Sequence, residues 1–320
     1  MKQKQKLSQV IFKSNMATLL VILVLIVLVF SVLNKNYLSS TNITNIFYAA
    51  STVGLLAIGE TFLIICGHID LSCASVGAMS GVLIAILLRT GMPWPAALLI
   101  VLLVGAVVGI LNSILASTFK IQPFIATLAT SSICSGIGYI ISNGRTISIT
   151  NRAFINVGTY KVFGLIPVPA ILLIAFFLIF GFILKRTTFG RKIYIVGGNA
   201  EAAHLAGIKP EQIALRLYIL SSVIGALAGA VLAARMHVGA PTAVEGSDFD
   251  AITAAILGGV AFTGGVGTMG GCFIGLIAIQ CFNTGLSVVG VSSFWQSVAK
   301  GLLLLFALIF DYFRANRMKK

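Results

Sequence analysis

The stretch Pro95-Ala-Ala-Leu-Leu-Ile-Val-Leu-Leu-Val-Gly-Ala-Val-Val-Gly-Ile-Leu-Asn-Ser-Ile-Leu-Ala-Ser117 runs for 23 residues without a charged side chain. A helix of about 20 residues crosses the roughly 30 Å of bilayer hydrocarbon, so this one stretch is long enough to span. Similar runs, bounded by charge, Pro or Gly, occupy roughly 16–34, 45–66, 73–89, 123–142, 166–184, 214–235, 249–265, 268–287 and 293–311. Together with 95–117 they make ten candidate spans in 320 residues. The breaks near 67–72 and 264–268 also suit re-entrant segments, so eight to eleven spans remain open. Of the whole chain 58% is hydrophobic and only 9% charged. A soluble domain carries about 25% charged residues, which excludes a water-soluble enzyme. The run 16–34 exceeds a signal peptide's apolar core and lacks a small-residue cleavage site, so it reads as a retained helix.

Charge orients the spans. Lys and Arg number 22 against 8 Asp and Glu, a net charge of +14. In a soluble protein that excess would suggest nucleic acid; beside apolar spans it marks cytoplasmic loops facing anionic lipid. With the N-terminus inside, ten spans put 15 basic residues on the cytoplasmic side and 6 outside, with Lys300 inside a helix. That asymmetry is what the positive-inside rule requires, and one span more or fewer midway scrambles it. The reading is therefore an all-α, multi-pass membrane protein with ten spans and both termini cytoplasmic. Residues 1–320 form one membrane domain with short cytoplasmic tails at 1–15 and 312–320 and a long cytoplasmic loop at 185–213. Segments 143–165 and 236–250 lie outside, and none of these is large enough to fold alone. The five cysteines sit in or beside apolar runs without metal or disulfide spacing, and read as packed small hydrophobes.

Several patterns carry possible chemistry. GxxxG occurs at Gly77–Gly81, Gly105–Gly109, Gly225–Gly229 and Gly271–Gly275, a spacing that admits close helix contact. Glu60, Asp70, Asp250 and Lys300 are ionisable groups at membrane depth, each costing about 2.5–3.5 kcal/mol to insert. They suit a polar pathway, or internal ion pairs and, for Asp70 and Asp250 at probable helix starts, caps. His68, Asp70 and Ser72 alternate at i, i+2, i+4, which does not converge them into a hydrolytic triad. Gly265-Val266-Gly267-Thr268-Met269-Gly270 matches a dinucleotide fingerprint in letters only, since it joins two apolar helices, and reads as a tight turn. No GxxxxGK[ST] occurs, so ATP-driven work needs a separate subunit. In the 185–213 loop Asn199 can cap a short helix over about 200–205 that Gly207 ends. Such a helix is either a plain surface turn or a shape that docks into a partner's cleft.

The chain resembles the permease subunits of bacterial ribose-type ABC importers for monosaccharides, in the branched-chain/ribose permease family. The resemblance rests on Gly67-His68-Ile69-Asp70-Leu71-Ser72, Pro123-Phe124-Ile125-Ala126-Thr127-Leu128, Gly190-Arg191 through Gly207-Ile208, and Pro241-Thr242-Ala243. It continues through Asp250-Ala251-Ile252, Gly258-Gly259, Gly264 to Thr268, Asn283-Thr284-Gly285-Leu286, Phe294-Trp295-Gln296 and Lys300-Gly301, in family order over about residues 40–311.

It implies about ten helices in the bacterial cytoplasmic membrane, paired with a second permease copy or paralogue. It also implies two ATPase subunits that hold the ATP and Mg, an extracytoplasmic sugar-binding protein, and no catalytic residue, cofactor or metal on this chain. The coupling segment then comprises Gly197, Gly198, Asn199, Glu201, Ala202, Ala203, His204 and Gly207. His68, Asp70, Phe124, Thr127, Asn283 and Gln296 are the candidate substrate pathway. Arg145, Arg152, Glu245 and Asp248 are candidate contacts for the binding protein. His68 departs from the family's usual Gly, and Thr284 and Ser287 depart from its Asn-Asn-Gly-Leu-Asn, so a monosaccharide is implied but not which one. Composition leaves an ion-coupled secondary transporter, working through Glu60, Asp70 or Lys300, as the alternative.

Overall fold

The computed structural model describes residues 15–318. The basic tail residues at 1–14 and 319–320, which contribute to the charge count above, lie outside the described residues. The chain enters through α1 (Asn15–Leu33), α2 (Ser40–Ile65) and α3 (Cys73–Arg89). Next come α4 (Trp94–Ser113), which closes in a π turn at Ile114–Thr118, and α5 (Pro123–Ser142). After α6 (Arg152–Thr159) and α7 (Val168–Arg186) the 185–213 segment forms α8 (Thr188–Gly198) and α9 (Ala200–Leu205). The chain finishes with α10 (Pro210–Met236), α11 (Ser247–Leu257), α12 (Met269–Val289) and α13 (Ser293–Met318). Six of these, α2, α4, α5, α7, α10 and α12, are long and apolar enough to cross a membrane, and α1, α3 and α13 contain shorter apolar helices.

The eighth predicted span, 249–265, is corrected. Only α11 forms there, and its 11 residues reach about 16 Å, roughly half the hydrocarbon. The reason is glycine: Gly259, Gly264 and Gly265 adopt the left-handed backbone, at φ 88°, 85° and 73°, which an α-helix cannot hold. Beside the helices that make up most of the described residues, four two-residue strands pair at the end predicted to be external. β1 (Ile147–Ser148) lies antiparallel to β4 (Val238–Gly239), with Ile147 opposite Gly239. β2 (Lys161–Val162) pairs with β3 (Ile166–Pro167). The first ladder stitches the 143–165 and 236–250 segments together.

The centre is built from α2 and α10, whose side chains are buried along most of their length. α10 packs against α3, α4, α2 and α6, while α11 packs against α12, α2 and α13. The GxxxG pairs explain this closeness. A Cβ on Gly77 would lie 2.9 Å from the Gly225 carbonyl oxygen, and one on Gly81 3.2 Å from that of Gly229. A Cβ on Gly105 would lie 2.8 Å from the Ser222 carbonyl oxygen, so α3 and α4 both use glycine to reach α10. The outward faces of α1, α4, α5, α7 and α13 stay apolar, with Leu103, Ile140, Leu178 and Leu302 all exposed as lipid-facing side chains should be. The five cysteines are buried free thiols.

Candidate functional site

Three places combine polar groups with a membrane position. The first is the break between α2 and α3. Asp70 is fully buried there, accepting hydrogen bonds from the Ser72 backbone N–H at 2.9 Å, the Ser72 hydroxyl, and the Ser221 hydroxyl at 2.9 Å. Asn112 Nδ2 donates to Ser72 Oγ at 2.7 Å, and the Leu71 N–H donates to Thr127 Oγ1 at 3.1 Å. His68 Nδ1 lies 3.2 Å from the Tyr218 hydroxyl and bonds neither Asp70 nor Ser72, so no triad forms. Glu60, also fully buried, meets the Cys73 thiol at 3.6 Å, and its Oε2 has no hydrogen-bond partner among the described residues. The break is thus a knot pinned by α4, α5 and α10.

The second place is a cavity of about 470 Å³ walled by α2, the end of α10, α11, α12 and α13. Asp250 and Lys300 meet there in an ion pair of 2.8 Å, and Asn283 Nδ2 donates to the same carboxylate oxygen at 3.3 Å. The short α11 is what delivers Asp250 to this wall. Arg235, at the rim, stacks its guanidinium 4.4 Å from the Tyr48 ring centroid. A neighbouring cleft of about 480 Å³ between α3, α5 and residues 241–249 is lined by Ser75, Ser131, Ser132 and Ser135 with Glu245 and Asp248.

The third place is the 185–213 segment. Asn199 caps α9 by accepting from the Ala202 N–H at 2.9 Å, and Gly207 follows at φ 81°, as the local sequence predicts. Ala203 faces inward, whereas Glu201, Ala202, His204 and Leu205 are exposed, Leu205 to 84%. The segment is anchored from below. Gly197 sits so close to the Ile65 carbonyl that any side chain would collide, and the Gly265 N–H donates to that same carbonyl at 2.8 Å. Tyr194 adds a bond of 2.7 Å to the Gly267 carbonyl, and burial pushes its phenol pKa up, so it stays a donor at neutral pH.

The candidate residues divide across these places. Asn283 lines the cavity that holds the Asp250–Lys300 pair, while Asp70, Thr127 and His68 belong to the knot and line neither cavity. Phe124 is exposed on α5, and Gln296 donates to the Val291 carbonyl at 2.8 Å, fixing the start of α13. Arg145, Arg152 and Glu245 are exposed, and Asp248 is half-buried. Sequence reasoning missed Gln280 and the pairing of Asp250 with Lys300. Gln280 sits inside an apolar run, and its spacing of three from Asn283 on one helix face was the available signal. Among the described residues no His, Cys, Asp and Glu side chains gather as a metal site.

Comparison with known proteins defines the class. A family model described as the branched-chain amino acid transport system permease component matches residues 42–308. The chain belongs to that permease family. The ribose import permease protein of Bacillus subtilis (strain 168) is 40% identical over 291 residues, covering 90% of each chain. The D-allose transport system permease protein of Escherichia coli (strain K12) is 37% identical over 292 residues, 91% of this chain and 89% of the relative. The L-arabinose transport system permease protein of the same organism is 34% identical over 305 residues, 92% of this chain and 90% of the relative. No solved structure matches the chain.

Proposed function

We infer that this chain is the membrane-spanning permease subunit of an ATP-driven importer that carries a monosaccharide across the bacterial cytoplasmic membrane by alternating access. The observation that carries the reading is end-to-end likeness to permeases named for ribose, allose and arabinose. The site chemistry supports it: a neutral, hydroxyl-rich solute suits a cavity of amides and hydroxyls whose one ion pair is internally satisfied. Weak polar contacts let a solute enter and leave.

In this reading residues 1–320 are one membrane domain with ten membrane segments, α11 and the turn after it together completing the eighth crossing, and both termini cytoplasmic. ATP and Mg act on separate ATPase subunits, so this subunit catalyses no chemistry. The Gly197–Gly207 segment docks on the ATPase through Glu201, Ala202, His204 and Leu205. Its contacts with Ile65 and Gly265 pass that motion to α2 and α12. Asn283 and the cavity around it belong to the path, and Phe124 and Gln296 face it from α5 and α13 across a second permease copy or paralogue. His68, Asp70 and Thr127 hold the knot that fixes its walls. Arg145, Arg152, Glu245 and Asp248 receive the binding protein at the stitched external end.

The test is isolation of the tagged chain from its native membranes in mild detergent, with intact mass and vanadate-sensitive ATP hydrolysis as readouts. Two ATPase subunits per permease pair are expected, lost when Glu201 and His204 are replaced. A chain that comes out alone and moves solute down an ion gradient in liposomes would overturn the importer and favour the ion-coupled reading.

A further inference from the structure

Gln280 is 3% exposed and is one of the residues lining the cavity, and its buried Nε2 has no hydrogen-bond partner among the described residues. One turn along the same face of α12, Asn283 Oδ1 is also buried without one. An amide buried in this state is unfavourable unless something completes it. The two atoms are complementary, a free donor on Gln280 and a free acceptor on Asn283. Beside them stands the Asp250 carboxylate, whose Oδ2 is held by Lys300 and by the Asn283 amide nitrogen. The lysine side chain is 39% exposed and the aspartate 9%, so the pair reaches the cavity from its wall. The volume of about 470 Å³ lies in the range of small-ligand sites.

We propose that Gln280, Asn283 and Asp250 form a hydroxyl-reading site inside the permease, where a monosaccharide rests between release from the binding protein and passage across the membrane. A sugar hydroxyl both donates and accepts, so one hydroxyl takes the Gln280 N–H while another donates to Asn283 Oδ1 or to Asp250. Lys300 is the positioning residue, fixing the carboxylate by a charge-assisted bond. The family description names branched-chain amino acids, but such a ligand suits this wall poorly. Amides and hydroxyls of Asn42, Asn45, Thr52, Ser247 and Thr284 make up much of the wall, and the nearby lysine is already paired. This proposal rests on the importer reading and assigns the place where that reading's solute binds.

The test is a titration of the purified full chain in lipid nanodiscs, without ATPase or binding protein, followed by saturation-transfer NMR. The probes are D-ribose, L-arabinose, D-allose and L-leucine. Saturable binding of at least one sugar is expected, with a dissociation constant on the order of 1 mM, weak enough to leave. Gln280→Met and Asn283→Leu should each weaken it about tenfold or more, Lys300→Met less, and Arg89→Gln, far from the wall, not at all. Melting temperature is followed in parallel so that an unfolded variant is recognised, and Asp250→Asn supplies a change of nearly equal shape. Absence of saturable sugar binding to the folded chain overturns the proposal, as does binding unmoved by the Gln280 and Asn283 variants, or L-leucine binding in preference to every sugar. Sugar uptake by the complete importer is measured alongside. If uptake persists while the isolated chain binds nothing, the site fails and the importer stands; if uptake itself is absent, the importer reading fails.

Discussion

Asp70 and Asp250 look alike in the sequence, each an aspartate beside a probable helix start, yet the fold gives them opposite environments. Asp70 is sealed by neutral donors from Ser72 and Ser221, with Asn112 beside them, and no cation approaches it among the described residues. Asp250 stands at a cavity wall, paired with a partly exposed Lys300. The first carboxylate organises backbone, because its bonds hold the only route from α2 into α3. The second organises space, because its ion pair shapes a wall that solute can reach. Burial alone therefore does not mark function; the difference lies in whether the polar partners use up the group or leave neighbours unsatisfied.

The sharpest way to break this comparison is Asp70→Ala. It strands the donors now facing that carboxylate, each at about 1–3 kcal/mol, so the detergent-purified protein should lose roughly 3 kcal/mol of stability or fail to fold. Thermal unfolding reads this directly, and a variant that stays stable but stops transporting would move Asp70 into the path. Thr127→Val comes next. It removes the acceptor of the buried Leu71 N–H and should cost about 1–2 kcal/mol, with uptake falling only as far as the folded fraction does. Asp250→Ala should cost no more than about 1 kcal/mol, because the freed Lys300 can reach water. Sugar uptake by the assembled importer should nonetheless fall about tenfold, and equal losses of stability at both aspartates would erase the distinction. The smallest effect on folding is expected for Glu201→Ala with His204→Ala, within about 0.5 kcal/mol because both are exposed. ATPase association, measured by co-purification, should drop all the same.

How far the sequence could be read follows from the range of the forces involved. The α9 helix was legible to the residue, since an Asn cap and a following glycine act within one turn. The GxxxG pairs predicted close contact but not partners; that Gly77–Gly81 meets Gly225–Gly229 depends on how distant segments pack. The eighth span misled because glycines in an apolar run raise no hydropathy alarm, although their left-handed backbone ends the helix at Leu257. Gln280 escaped notice because a single amide in an apolar helix looks like tolerated polarity until its neighbours are known.

By itself, the sequence determined that this chain lives in a membrane, because apolar length and charge asymmetry are local sums that no packing reverses. It also determined the short capped helix α9 and, through ordered motifs, the family. Only the tertiary structure decided which carboxylate is sealed and which lines a cavity, and that two residues with unpartnered amide atoms share that lining. Those outcomes depend on contacts between residues as far apart as Asp250 and Lys300 or Asp70 and Ser221, and hydrogen bonds across such separations exist only once the helices have packed.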